Sequence, residues 1–560
     1  VGGYNLDEFV GDGPFDLCKM VVGSEGTLVA ITEARVNLVP LPVHTGLNVC
    51  HFTDLIESMV AAVEILKTGP TSVELVDRTI LDLAKIAPEA AKQRLFIEGD
   101  PEAILAVEYY GETAEEVSKK MDVLETLLRD KNLGYACVRA MTPTEQANIW
   151  GVRKAGLGLL MGMKGDTKPA TFVEDTAVSP EKLPEYIRRF DEIVRRHDTV
   201  ASYYAHASVG TIHIRPMINL KKIDDIDRMR SIAEEIRDLV LEFGGAMSSE
   251  HGDGLVRSEW NETMFGSQLY NAFKEVKAVF DPNGIMNPGK IIANQKMTDN
   301  LRFGAAYQTE EINTFFDFSN DGGFARSVEL CNGVGACRKK LVGTMCPSYI
   351  ATLDEEHSTR GRANILRAAL SGKLDDEGFT SHRVYEALDL CLECKGCKGE
   401  CPSNVDMARM KYEFLAHYYD KHGLPLRNRV FGHIATLSKL GSALAPLSNW
   451  IMNHPWHKWV LEKTIGVDRR RTLPNFARET FDHWFHHRSN RPKDDADRPT
   501  VVFFPDTFTN YNDPHIGIAA VEVLECAGYR VILAEPRKCC GRPFISKGML
   551  RQAKAVAEYN

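Results

Sequence analysis

Ten of the thirteen cysteines lie after residue 330, and seven of them fall between 331 and 401. Four form the run Cys391-x2-Cys394-x2-Cys397-x3-Cys401-Pro402. Three thiolates on one tight loop can grip three irons of a cubane, while the fourth, set before proline, typically serves a second cluster. A structural zinc site is the plainer alternative, but zinc ligands usually come as two separated pairs. Cys331, Cys337 and Cys346-Pro347 supply the other half of the pattern. The natural crossing assigns Cys346, Cys391, Cys394 and Cys397 to one [4Fe-4S] cluster. Cys331, Cys337 and Cys401 then face a second site that is one thiolate short, which leaves a three-iron cluster, a non-cysteine ligand or no cluster open. Such tight spacing signals metal binding in a reducing compartment rather than a secreted disulfide framework. A cytoplasmic chain is therefore expected, at most at the inner face of a membrane.

The elements that must position these residues form several domains, because 560 residues exceed one hydrophobic core. The formal net charge of −10 argues against nucleic acid as a partner. No run of about 20 apolar residues is present to span a bilayer. Residues 1–42 are glycine-rich, then β-like, with Val29–Val39 reading as a strand closed by Pro40 and Pro42. Residues 43–292 mix strands with amphipathic helices at 52–67, 114–132, 222–243 and 266–280. Residues 293–325 read as a linker, 326–410 hold the clustered cysteines, and 411–490 look helical. From 495 to 560 another α/β unit begins at Val501–Phe504. Cys18, Cys50 and Cys137 read as buried small hydrophobes, and Cys526 as a core position on a helix over 516–527. The chain opens inside what looks like a domain, and only nineteen residues follow Gly541, so a fragment cut at both ends is expected.

Val22-Gly23-Ser24-Glu25-Gly26-Thr27 resembles the last cofactor-contacting loop of the vanillyl-alcohol-oxidase-type FAD domain. Gly23 and Gly26 would let backbone approach the cofactor, and Ser24 and Thr27 would offer hydroxyls. Residues 43–292 resemble the substrate-capping domain of FAD-linked D-2-hydroxy-acid dehydrogenases. The features are His206 and His213 around the Val209-Gly210 turn, Glu250-His251-Gly-Asp-Gly254, Trp150-Gly-Val-Arg153 ahead of Lys168, and Asn287-Pro-Gly-Lys290. The resemblance implies a ferredoxin-like α+β cap, with FAD contacted by Gly23–Thr27 and Asn287. It implies that His206, His213 and Glu250 hold Zn2+ or a similar divalent ion, that His251 acts as base, and that Arg153 and Lys168 grip the substrate carboxylate. Taken singly, any of the seventeen histidines is ordinarily a polar surface or core residue.

One departure matters. Many members read Gly-His-x-Gly-Asp-Gly-Asn-x-His, whereas Val209 and Thr211 replace Asp and Asn here. This Val-Gly form, followed by His213-Ile-Arg-Pro216, resembles the long bacterial fusions of FAD and iron–sulfur modules in the D-2-hydroxyglutarate dehydrogenase family. Cys539-Cys540-Gly541 resembles the Cys-Cys-Gly domains of heterodisulfide-reductase-like electron-transfer subunits, and could add iron–sulfur ligands or be two buried thiols after a strand.

The expected molecule is thus a multidomain α+β redox enzyme: the end of an FAD domain, a substrate cap, a helical ferredoxin-type iron–sulfur domain and the start of a Cys-Cys-Gly domain. It would oxidise D-2-hydroxyglutarate and pass electrons through [4Fe-4S] clusters to a quinone or carrier protein. D-Lactate and glycolate are rival substrates, and a non-catalytic electron-transfer subunit is a rival of another class. Trp450, Trp456 and Trp459 beside basic residues raise peripheral membrane contact as a further alternative to a packed subdomain, and homo-oligomers are left open.

Overall fold

The computed structural model describes residues 2–11, 13–489 and 498–560. The boundaries read at 490 and 495 lie outside the described residues. The chain divides into two compact units, Val1–Gln308 and Thr309–Asn560, with the division inside the stretch read as a linker.

The first unit is built on one sheet in the order β4-β1-β3-β2-β7-β8-β5, with β6 also pairing β8. Its strands are β1 (His44–Phe52), β2 (Ser72–Asp77), β3 (Ala103–Gly111), β4 (Ala136–Ala140), β5 (Lys168–Pro169), β6 (Thr176–Ala177), β7 (Ala201–His206) and β8 (Thr211–Ile218). The first four make a β-α-β-β-α-β unit with neighbours antiparallel, the split β-α-β arrangement. Helices start where the sequence supplies caps: Asp54 accepts from the Glu57 N–H, Thr113 from Glu116, and Thr142 with Glu145 forms a capping box. Helices close both faces, so β1, β2, β3, β7 and β8 are mostly buried, while the edge strand β4 is half-exposed. Val73, Leu75, Leu105 and Val107 pack toward the helices Leu55–Leu66, Ala114–Asp130, Leu183–Arg196 and Ile223–Glu242. Val76, Ile104, Ala106 and Tyr204 pack toward Arg78–Ile86 and Pro143–Met161.

This alternation orients the site. Along β7, Tyr203 and Ala205 enter the first core, so Ser202, Tyr204 and His206 face the other way. Along β8, Ile212 and Ile214 do the same, which turns Thr211, His213 and Arg215 to that opposite face. The strands are joined by one turn, Ala207–Val209 and Gly210 at φ +74°, and a Cβ on Gly210 would sit 1.8 Å from the Val178 carbonyl oxygen. Only glycine fits there.

The strand expected over Val29–Val39 does not form. No strand among the described residues pairs with it, and Val36, Leu38 and Val39 are exposed. A β-branched run becomes a strand only with a neighbour for its backbone groups.

The second unit is mainly helical, as read, from Phe324–Glu329 to Leu550–Tyr559, with a small parallel pair, β9 (Thr500–Phe503) and β10 (Arg530–Leu533). Trp450, Trp456 and Trp459 are all exposed, and no helix of the described residues is long and apolar enough to cross a membrane.

Candidate functional site

His206 ends β7 and His213 lies on β8, so the turn at Gly210 brings both imidazoles onto one face. Glu250 follows the helix Ile223–Glu242 and places Oε2 3.7 Å from His206 Nε2 and 3.8 Å from His213 Nε2. His251 stacks on His213 with ring centroids 5.0 Å apart. Each Nδ1 meets a group that can only accept: Glu74 Oε1 for His206 at 2.7 Å, the Glu174 carbonyl oxygen for His213 at 3.1 Å, and Glu174 Oε1 for His251 at 2.9 Å. Nδ1 therefore carries the proton in all three. In His206 and His213 this leaves the Nε2 lone pair facing Glu250, the arrangement that metal-ligating histidines adopt. The ligand spacing is near the ~3.4 Å between donors of a tetrahedral ion with bonds of about 2.1 Å. Ligand atoms of His206, His213 and Glu250 lie within 4.8 Å of one another, as do those of Glu174, His213 and His251 and of Asp175, Glu250 and His251. In these last two sets Glu174 and Asp175 already accept protein hydrogen bonds, so the first set fits an ion best.

The supporting carboxylates were not legible beforehand. Asp175 is fully buried and accepts from the backbone N–H groups of Ser249, Glu250 and His251, which fixes the turn that carries Glu250 and His251. Glu174 Oε2 pairs with Arg215 at 2.6 Å, and Arg215 also donates to the Tyr204 hydroxyl. Burial pushes the Glu174 carboxyl up, but the His251 hydrogen bond and the Arg215 charge outweigh it and hold it low. The Glu74 and Glu174 hydrogen bonds raise the pKa values of His206 and His251, whereas burial lowers His213 to about 4.

The Gly23–Thr27 loop docks onto the same turn. Glu25, at φ +54°, accepts from the Asp253 and Gly254 N–H groups at 2.6 and 2.9 Å. Asn287 donates to the Glu25 carbonyl oxygen at 2.6 Å, which ties the Asn-Pro-Gly turn to this loop. A Cβ on Gly26 would meet open space, while Ser24 and Thr27 are buried. The Thr27 hydroxyl is turned inward, donating to the Ser24 carbonyl oxygen and paired with the Tyr4 hydroxyl.

Arg153 reaches the site from the helix Pro143–Met161. It donates through Nε and Nη2 to Glu74 Oε2 at 3.0 and 2.8 Å, and lies over the Tyr204 ring. Lys168 is not brought there. It pairs with Ile218, five residues beyond His213 on β8 and about 16 Å along the strand, and its ammonium donates to the Met163 carbonyl oxygen.

The seven clustered cysteines divide between two cavities of similar size. One is lined by Cys346, Cys391, Cys394 and Cys397. The other is lined by Cys331, Cys337 and Cys401. This is the division that the spacing predicted. The helix Thr359–Leu370, capped by Ser358, separates them, and Thr359 lines both. Arg362 is fully buried and points a guanidinium N–H at Cys346 Sγ, 3.5 Å away. The Arg360 backbone N–H donates to Cys337 Sγ at 3.4 Å.

Of the remaining cysteines, Cys50 is buried as expected and others depart from expectation. Cys18 and Cys526 are exposed rather than buried. Cys50 and Cys137 face each other across β1 and β4 with Sγ atoms 3.2 Å apart, a pairing that only the sheet register creates. Cys539 is half-buried and Cys540 exposed. A hydrogen bond from Cys540 holds the Cys539 thiol low, and Cys539 lines a separate cavity with His433, Asp482 and Arg537.

Residues 41–291 match the family of FAD linked oxidases, C-terminal domain, and residues 327–405 match the 4Fe-4S dicluster domain. The chain is 29% identical to a D-2-hydroxyglutarate dehydrogenase of Pseudomonas putida over 98% of its own length and 59% of that protein. A glycolate oxidase subunit of Bacillus subtilis is 30% identical over 50% of this chain and 57% of that protein. A D-lactate dehydrogenase of Archaeoglobus fulgidus is 28% identical over 52% of this chain and 61% of that protein. The chain thus spans less than two thirds of the length of these relatives.

Proposed function

From a chain that joins a C-terminal domain of the FAD linked oxidases to a 4Fe-4S dicluster domain, we propose the larger part of an FAD-dependent dehydrogenase that oxidises D-2-hydroxyglutarate to 2-oxoglutarate. The observation that carries this reading is the shared orientation of His206 and His213, which present Nε2 to Glu250 beside His251 inside the flavin-oxidase domain. D-2-Hydroxyglutarate dehydrogenases match nearly the whole chain, including the iron–sulfur part. The D-lactate and glycolate relatives, which match about half of it, keep those two acids as alternative substrates.

In this reading residues 1–42 end the flavin domain, 43–292 cap the substrate, 326–410 hold the clusters, and 495–560 begin a Cys-Cys-Gly domain. When bound, the flavin supplies a two-electron acceptor, a divalent ion such as Zn2+ acidifies the substrate hydroxyl, and the clusters carry electrons singly toward a quinone or carrier.

The chain's own residues do the rest. His206, His213 and Glu250 hold the ion. His251 takes the substrate hydroxyl proton at Nε2, and Glu174 at Nδ1 steadies the resulting cation. Arg153 grips the substrate carboxylate by turning from Glu74. Glu25 keeps the flavin-side loop in register with the turn that bears the base.

The test is anaerobic flavin bleaching in the full-length protein with D-2-hydroxyglutarate, D-lactate, glycolate and the L-isomers. Rapid bleaching by D-2-hydroxyglutarate is expected. No bleaching by any acid, with flavin and clusters bound, would move the chain to the electron-transfer class.

A further inference from the structure

The pocket of Cys331, Cys337 and Cys401 offers three thiolates where a cubane ordinarily takes four protein ligands. Ser403 lines the same pocket. It is 2% exposed, and its hydroxyl oxygen has no hydrogen-bond partner among the described residues. A buried hydroxyl left unpaired is costly, and buried polar groups in folded proteins ordinarily find a partner, protein or bound group.

The other polar side chains around this pocket are engaged elsewhere. Arg360 donates to Glu355 and to the Gly333 carbonyl oxygen. Asn332 accepts from the Val334 N–H. Thr359 turns its hydroxyl toward Cys346 in the neighbouring pocket. Ser403 stands two residues after Cys401, in a turn closed by the Asn404 N–H on the Cys401 carbonyl oxygen at 2.9 Å. That turn sets both side chains against one cavity.

We propose that Ser403 Oγ is the fourth protein ligand of an iron–sulfur cluster held by Cys331, Cys337 and Cys401. The proposal rests on the two-cluster reading. On binding, the hydroxyl releases its proton to solvent, as each thiol does, and the oxygen occupies the iron that the thiolates leave open. The second cluster then differs in ligand set from the all-thiolate cluster of Cys346, Cys391, Cys394 and Cys397.

The experiment is iron quantitation with Mössbauer and low-temperature EPR spectroscopy on the anaerobically purified protein, wild type against Ser403→Ala and Ser403→Cys. Wild type should carry about eight irons per chain in two [4Fe-4S] clusters. Ser403→Ala should lose one ferrous iron and show a reduced three-iron cluster by Mössbauer spectroscopy; one-electron oxidation with added thionine should then give the near-isotropic EPR signal of the oxidised three-iron cluster, with the first cluster's spectrum unchanged as proof of folding. Ser403→Cys should restore the full iron count with an altered second-cluster spectrum. Wild-type iron content and spectra in Ser403→Ala would overturn the serine ligand while leaving two clusters in place. A wild-type content of about four irons would instead overturn the two-cluster reading and the proposal with it.

Discussion

One carboxylate joins His206 to Arg153: Glu74 Oε1 lies 2.7 Å from His206 Nδ1, while Glu74 Oε2 accepts from Arg153 Nε at 3.0 Å. The residue expected to hold the ion and the residue expected to hold the substrate carboxylate therefore share a support. Withdrawing Arg153 toward a substrate takes the donor from Oε2 and leaves Oε1 on His206.

Glu74→Gln should weaken retention of the divalent ion by about 10- to 100-fold, the usual effect of removing a carboxylate behind a ligating histidine. Metal content after dialysis against graded chelator reads this directly. Exhaustive chelation of the wild type should abolish activity, and Zn2+ should restore it. Equal retention in the variant and the wild type would remove Glu74 from this role.

His251→Asn should slow substrate-dependent flavin reduction by roughly 10²- to 10⁴-fold, the span of general base catalysis. Iron and divalent metal contents should stay at wild-type values. A variant that turns over normally would show that another group takes the proton.

Gly210→Ala should cost about 3 kcal/mol or more, since its Cβ has no room beside the Val178 carbonyl and φ is positive. The melting temperature should fall, and with it metal retention, because the same turn spaces His206 from His213. An unaltered melting temperature would mean that the turn relaxes freely.

Asp77 is fully buried at the start of the helix Arg78–Ile86 and accepts from the Tyr203 N–H. Burial raises its carboxyl from 3.8 to about 6. The folded protein then binds a proton between those values that the unfolded chain has released, so this group's contribution to stability falls as pH rises through that window. At neutral pH the buried charge costs about 3 kcal/mol. Asp77→Asn carries no such dependence. The melting temperature of the variant relative to the wild type should therefore be higher at about pH 7.5 than at about pH 5. A difference constant with pH would place the Asp77 carboxyl at an ordinary value.

What could be read beforehand was local or periodic. The Cys-x2-Cys-x2-Cys-x3-Cys-Pro spacing carries its own geometry, and the two pockets follow it. His206 and His213 were legible because a tight turn between strands restores the same face after an odd number of residues. Glu74 was not, because it lies 132 residues from His206 and meets it only through the β2–β7 register. Its signal was a lone carboxylate in Val73-Glu74-Leu75-Val76, where a buried strand should be apolar. Glu174-Asp175 carried no periodic mark at all. The Val29–Val39 misreading and the Cys50–Cys137 pairing have one cause: strand partnership is decided by distant chain.

Thr359, Arg360 and Arg362 all sit on the first turn of a single capped helix, and between them they touch both cysteine pockets. With a rise of about 1.5 Å per residue, that turn works as a fixed spacer. Clusters held in both pockets would share that turn as a common wall, while the seven cysteines themselves lie outside the helix. The helix would then be a strut between two electron carriers, and the segments that bear the cysteines would set how far each carrier stands from it.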